Sequence, residues 1–305
     1  MSGVLSLKPS YYEALKRLTL ELAGVHLGED HAFLVETRLG VLARQEGYQS
    51  LNMMVDDLFG QGQTRLAIKV VSALLERDTH FNPDPIGIKL FAEQLLPKLH
   101  ELNGGRKIEI LSFACSSGQE PFSLAIQVLE AQKKLPDLNC EILGVDYPSP
   151  ALARAKTGIY THFEVQRGLP TRDLITYFDR AGEDWAVKPV LKNLVSFREF
   201  HLLSKLDALG KFDLVLFRNS LVHYSSPAQI RVIRSLSSIV KHERFLMFGS
   251  GEAIPTSSYN FDPVQGFPNV LQKHKEEIIP VPKAELPKPP PMEYVPAVNK
   301  SERAS

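Results

Sequence analysis

A chain of 305 residues with 44% apolar side chains can build one large domain or two modest ones, each with a real core. Lys plus Arg balance Asp plus Glu at 35 each, and zero formal net charge argues against a basic face made to neutralise nucleic-acid phosphates. No run approaches the roughly 18 apolar residues of a membrane span. The N-terminal Met-Ser-Gly-Val-Leu-Ser-Leu-Lys lacks a signal-peptide layout, and Cys115 and Cys140 make neither a disulfide framework nor a metal set, so a reduced cytoplasmic setting is expected.

In chain order, Ser10-Tyr-Tyr-Glu13 fits a capping box, followed by Leu15, Leu18 and Leu22 at helical spacing. Gly24 and Gly28 flank a break. Phe33, Leu34, Leu39 and Leu42 then mark a second helix ending near Gly47, Ser50 opens a third around Met53, Met54 and Leu58, and a fourth runs from about Gln63 to Leu75. Residues 1–75 therefore read as an all-helical domain, and 76–87 as a linker. Asn82-Pro83-Asp84-Pro85 excludes a helix interior, because each proline disfavours helix before it. A helix from about Ile88 to Leu102, kinked or broken near Pro97, leads into a buried strand at Ile108–Phe113.

Ala114–Gly118 is a small-residue turn, and a helix begins at Gln119 with Pro121 in its first turn. Strand, tight turn and helix are how a doubly wound α/β sheet opens its ligand crevice. The turn has one glycine where a dinucleotide fingerprint has three, and no Gly-Lys-Ser/Thr, so a phosphate cradle is not expected. A ligand with an adenosine and no phosphates, such as S-adenosylmethionine, would suit it; an ordinary strand–helix corner is the alternative. Glu141–Asp146 reads as the next strand, and Asp146 at its tip is placed either to bind a ribose diol or to start the Tyr147-Pro148-Ser149-Pro150 turn. A helix begins over Pro150–Ala155, Phe212–Phe217 is a buried strand, Ser226 caps a helix and Phe245–Phe248 is a late strand, with Lys241–Arg244 as the turn before it. From about Pro255 the chain reads as a proline-rich tail, solvated or offered as a PxxP ligand.

Ser112-Phe-Ala-Cys-Ser-Ser-Gly-Gln-Glu-Pro-Phe-Ser123 resembles the Ser-Ala-Gly-Cys-Ser-Thr-Gly-Glu-Glu-Pro-Tyr-Ser signature of CheR-type chemotaxis receptor methyltransferases. Gly158-Ile-Tyr, Phe163-Glu-Val-Gln-Arg-Gly-Leu-Pro170, Val195–Leu203, Phe212–Asn219 and Gly249-Ser-Gly-Glu252 follow in family order. The resemblance implies an α/β fold. A helical N-terminal domain would precede a Rossmann-like S-adenosylmethionine-dependent methyltransferase domain over 88–254. A small antiparallel β insertion would lie at about 160–195, with Trp185 and Val187 in its core, and a flexible tail would occupy 255–305. It also implies that the N-terminal domain docks on receptor helices. That surface is generally basic in the family, whereas residues 1–75 here carry seven Lys/Arg against eight Asp/Glu.

By the same resemblance, Thr79, Glu120, Asp146, Arg218 and Asn219 keep the identities of cofactor contacts, His201 stands where the family has an asparagine near the adenine, and Leu202 beside it is a further cofactor contact. Glu120 would take the cofactor's ammonium; its alternative is a first-turn helix acid. Gln119 replaces a glutamate and Ala114 a loop glycine. Thr79, Phe81, Asp84 and Pro85 match the family's Thr-Asn-Glu-Thr-x-Phe-Phe-Arg-Asp-Pro segment, but Pro83 stands where the family has an arginine implicated in catalysis, and His223 where it has a tyrosine. Arg77 either supplies the missing guanidinium or is a solvent-facing arginine. The function implied is methylation of receptor glutamates in chemosensory adaptation, with the cytoplasmic domain of methyl-accepting receptors as partner. The alternative is a catalytically impaired, S-adenosylmethionine-binding sensor or scaffold. A nicotinamide dehydrogenase would need the glycines that the turn lacks.

Overall fold

The structure, a computed structural model, describes residues 7–23, 25–28, 31–60, 64–75, 79–200, 206–218, 221, 226–252, 254 and 260–275. Four helices open the chain: α1 (Pro9–Ala23), α2 (Ala32–Gln45), α3 (Leu51–Gly60) and α4 (Thr64–Leu75). The capping-box expectation at Ser10 is corrected. Pro9 is already helical, a position where its fixed φ suits the helix and its missing N–H costs nothing, and Glu13 instead pairs with Lys16 at 3.0 Å. Ser50 does open α3, its hydroxyl accepting from the Met53 N–H at 3.2 Å. Leu15, Leu39, Met54 and Val70 close a core of their own. Ala23, Val25 and Val71 belong to a second core, shared with Phe113, Val145 and Tyr147, which seats the helical unit against the sheet.

One long helical stretch follows, as α5 (Pro85–Leu90), a π turn over Phe91–Leu95 and α6 (Leu96–Asn103). Pro97 has no N–H to donate, and the irregularity expected there takes the form of a widened turn in which the Leu96 N–H reaches back to the Phe91 carbonyl. The helix starts three residues earlier than its periodicity suggests because Asp84 caps it.

The α/β part then runs β1 (Ile108–Phe113), α7 (Gln119–Gln132), β2 (Cys140–Asp146) and α8 (Pro150–Thr157). A three-stranded antiparallel insertion follows, with β3 (Ile159–Tyr160), α9 (His162–Gln166), α10 (Thr171–Tyr177), β4 (Phe178–Ala181) and β5 (Asp184–Val187). The chain continues through α11 (Pro189–Lys192), β6 (Val195–Glu199), β7 (Phe212–Leu216), α12 (Ser226–Ile239), β8 (Val240–Met247), β9 (Phe261–Val264) and β10 (Phe267–Lys273). In the insertion Val187 is buried as expected. Trp185 is only half-buried: Arg180 covers its ring at 4.2 Å, and its indole N–H donates to His162 Nδ1 at 3.3 Å.

The seven-stranded sheet has the order β6-β2-β1-β7-β8-β10-β9, parallel from β6 to β8 and antiparallel beyond. From β1 the chain moves outward to β2 and β6, then returns to β7 and β8 on the other side. The C-terminal tips of β1 and β7 therefore form the topological switch point, where open α/β sheets bind ligands.

Two expectations are corrected here. Lys241–Arg244 is not a turn but part of β8, where the register shifts and Glu243 takes φ 58° so that Lys241 and Arg244 both reach the buried Asp213 of β7. The tail does not begin at 255, because the β9–β10 hairpin covers the edge of β8 and buries Phe261, Val270 and Leu271. The prolines from Pro280 onward lie outside the described residues.

Candidate active site

The turn after β1 is held in a shape that ordinary side chains resist. Ala114, Ser116 and Gly118 have φ of 58°, 49° and 86°, and a Cβ on Gly118 would lie 2.9 Å from both Ala155 Cβ and Phe197 Cζ. Asp146, at the tip of β2, braces this turn. Its Oδ2 accepts from the Ser116 N–H at 2.5 Å and its Oδ1 from the Tyr147 N–H at 2.6 Å. The turn role weighed for Asp146 is therefore present.

Glu120 sits buried in the first turn of α7. Its Oε2 accepts from the Ser112 hydroxyl at 2.8 Å, and its Oε1 meets Arg218 Nη1 at 3.0 Å. Arg218 follows β7 with a side chain only 1% exposed, and its Nη2 lies 3.3 Å from Asp84 Oδ2. Two carboxylates thus flank one guanidinium, leaving a formal charge of −1 on a largely buried cluster. Burial on its own pushes the Asp84 carboxyl pKa up, but hydrogen bonds from Gly87 and Ser250 and the charge of Arg218 outweigh it and hold the group below its ordinary range.

The segment expected as a linker is a fixed wall. The Phe81 N–H donates to Arg167 O at 3.1 Å, the Asn82 N–H to Ser123 Oγ at 2.9 Å, and Asn82 Nδ2 to Gly168 O at 2.8 Å. The Phe81 ring packs edge-on against Tyr160 and Phe178 at 5.1 and 5.6 Å. Gly168 has no alternative residue, since a Cβ there would come 1.9 Å from the Phe81 carbonyl oxygen.

Of the residues singled out in the sequence, Glu120 and Arg218 are in direct contact, and Asp146 braces the same turn. Thr79 is half-buried at the start of the wall. Arg77, His201, Leu202, Asn219 and His223 lie outside the described residues. Sequence reasoning missed Ser112 as the partner of Glu120, although a serine in an apolar strand just before the turn was a usable signal. It also missed Asp84 as the second carboxylate on Arg218, which no spacing could reveal. Cys115 is not a nucleophile candidate: burial, then the charges of Asp146 and Glu120, push its thiol pKa well up. A separate polar cleft of about 360 Å³ lies at the opposite end of the sheet, where Lys241 and Arg244 pair with Asp213 and Lys241 with Glu109.

Residues 77–269 match the family model of the CheR methyltransferase SAM-binding domain. This chain belongs to the CheR methyltransferase family. It is 32% identical over 264 residues to the chemotaxis protein methyltransferase Cher2 of Pseudomonas putida, covering 85% of this chain and 96% of that protein. Chemotaxis protein methyltransferase 1 of Pseudomonas aeruginosa is also 32% identical, with 87% and 97% covered. The chemotaxis protein methyltransferase of Vibrio parahaemolyticus is 30% identical, with 87% and 96% covered. This CheR protein is accordingly an S-adenosylmethionine-dependent methyltransferase of chemotaxis, and the alignments take in its helical N-terminal unit as well as the α/β domain. Among the described residues no helix is long and apolar enough to cross a membrane.

Proposed function

We propose that this CheR methyltransferase methylates glutamate side chains on the cytoplasmic domains of chemotaxis receptors, with Glu120, Arg218 and Asp146 holding its cofactor. The observation that carries the reading is the buried Glu120–Arg218 pair at the switch point, 3.0 Å apart. Its surroundings fit the amino-acid end of S-adenosylmethionine: the −1 balance of Asp84, Arg218 and Glu120 suits an ammonium, and Arg218 suits a carboxylate. Asp146 is placed for the ribose diol. Thr79, His201, Leu202 and Asn219 complete the set by family resemblance.

When bound, the cofactor supplies an electrophilic methyl on a sulfonium. A glutamate acceptor is already ionised at neutral pH, so the chain needs no strong general base. Its work is to align the acceptor and keep water out, for which the pinned 79–84 wall is suited. Pro83 cannot orient a carboxylate. We assign that task to Arg77, with His223 as a hydrogen-bond donor by family resemblance.

The helical unit is the receptor-docking surface in this reading. On α2, Phe33 is 81% exposed, with Leu34 and Val41 also open to solvent, so contact would be apolar rather than steered by charge. Activity of this kind places the protein in the cytoplasm.

The test is calorimetric titration with S-adenosylmethionine and S-adenosylhomocysteine, then methyl transfer to receptor cytoplasmic domains. Micromolar binding and transfer are expected, and Arg77→Ala should abolish transfer while sparing cofactor affinity. A folded protein that binds neither ligand overturns the site, and binding without transfer by the wild type overturns the catalytic reading.

A further inference from the structure

We propose that Asp84 is a positioning residue for the amino-acid end of the cofactor: it holds Arg218 against Glu120 and keeps one excess negative charge on the Asp84–Arg218–Glu120 cluster. The inference rests on the reading above, in which Glu120 and Arg218 hold that end. As a helix cap Asp84 needs only one oxygen, and Oδ1 serves the cap by accepting from the Gly87 N–H at 2.9 Å. Its other oxygen is turned to distant parts of the chain. Oδ2 accepts from the Ser250 N–H beyond β8 at 2.9 Å and faces Arg218 Nη2 beyond β7 at 3.3 Å. One carboxylate therefore ties the wall to the tips of two strands.

An exposed cap could be Ser, Thr or Asn with little loss. This one is 9% exposed, and burying a charge is tolerated only where it is paired and hydrogen-bonded. The space for it is reserved by Gly87, where a Cβ would lie 2.6 Å from Asp84 Oδ2 and 3.0 Å from Met247 Cε. Removing the Asp84 charge would leave the Glu120–Arg218 pair formally neutral, and the attraction for an incoming ammonium would be lost. It would also remove one of the contacts that orient the Arg218 fork.

Two variants separate this role from capping. Asp84→Asn keeps a side chain that caps as well as Asp but removes the charge. Gly87→Ala keeps the charge, displaces it, and raises helix propensity. Wild type and both variants would be titrated with S-adenosylhomocysteine and with 5′-methylthioadenosine, which has the adenosine and thioether but no amino-acid end. The expected result is S-adenosylhomocysteine affinity about tenfold or more weaker in both variants, with 5′-methylthioadenosine affinity held within about twofold. Variants that bind both ligands like wild type overturn the proposal, as do variants that lose both equally, which would mark a structural role. If Asp84→Asn does not fold, Gly87→Ala carries the comparison. A wild type that binds neither ligand removes the site itself, an outcome distinct from wild-type binding that the variants leave unchanged.

Discussion

Asp213 is 1% exposed, and four neighbours satisfy it: Lys241 at 2.8 Å, Arg244 Nε at 3.1 Å, the Glu109 N–H at 2.9 Å, and Asn103, which Arg244 also holds. Burial pushes its carboxyl pKa up, but the Lys241 and backbone hydrogen bonds outweigh that, and the folded value lies below the ordinary 3.8. A depressed carboxylate contributes stability that is present above the unfolded value and lost as pH falls through the folded one. Asp213→Asn should therefore cost about 2–4 kcal/mol at neutral pH, since it leaves two cations short of a buried partner. Its stability should also fall less steeply than wild type below about pH 4, where the wild-type advantage is titrated away; urea melts across that range would check both. The identity of Asp213 was visible in Phe212-Asp-Leu-Val-Leu-Phe217, but its partners come from strands and helices far apart in the chain. A side chain's neighbours are a property of the register, which the linear order does not contain.

At the scale of elements, local rules did well wherever an element buries a face of its own. The four N-terminal helices form where the apolar spacing places them, although Leu22, Phe33, Leu34 and Met53 of that spacing are exposed, and Pro97 marks its irregularity. The same periodicity leaves Phe33, Leu34 and Val41 of α2 unburied. Phe33→Glu should raise the KM for receptor about tenfold, the scale of losing one large apolar contact, while leaving S-adenosylmethionine affinity unchanged. Receptor methylation by the wild type should change little between low and physiological salt, because an apolar contact is not screened. Steep salt dependence, or a Phe33→Glu enzyme with normal receptor KM, would remove α2 from the docking surface. The 79–84 wall was the least legible element. Its prolines announce only what it cannot be, and its conformation is imposed by Arg167, Gly168 and Ser123.

Taken as a whole molecule, the fold is closed by a hairpin whose sequence sits beside a proline-rich run and was masked by it. Lys273 of β10 is buried, and its ammonium donates to the Ser237 and Val240 carbonyls at 2.8 and 2.9 Å, at the C-terminus of α12. A cation there completes the carbonyls that a helix end leaves open and opposes its dipole. Lys273→Met should cost about 1–3 kcal/mol by stranding those acceptors. Thermal melts should show a Tm lower by several degrees, with methyl transfer at low temperature retained. An unchanged Tm would mean the hairpin is held by Phe261, Val270 and Leu271 alone.

By itself the sequence determined the α/β class, the helical unit ahead of it, the β1–turn–α7 corner and the place of Asp146 at a strand tip, because these depend on periodicity, turn chemistry and strand tips, whereas Glu120 and Arg218 were singled out by family resemblance. Only the tertiary structure decided that Arg218 stands between Glu120 and Asp84, that the supposed linker is a wall and that the sheet runs on to Lys273. Buried charges and sheet edges are satisfied by whatever the fold brings to them, and that pairing exists only once the strands have found their order.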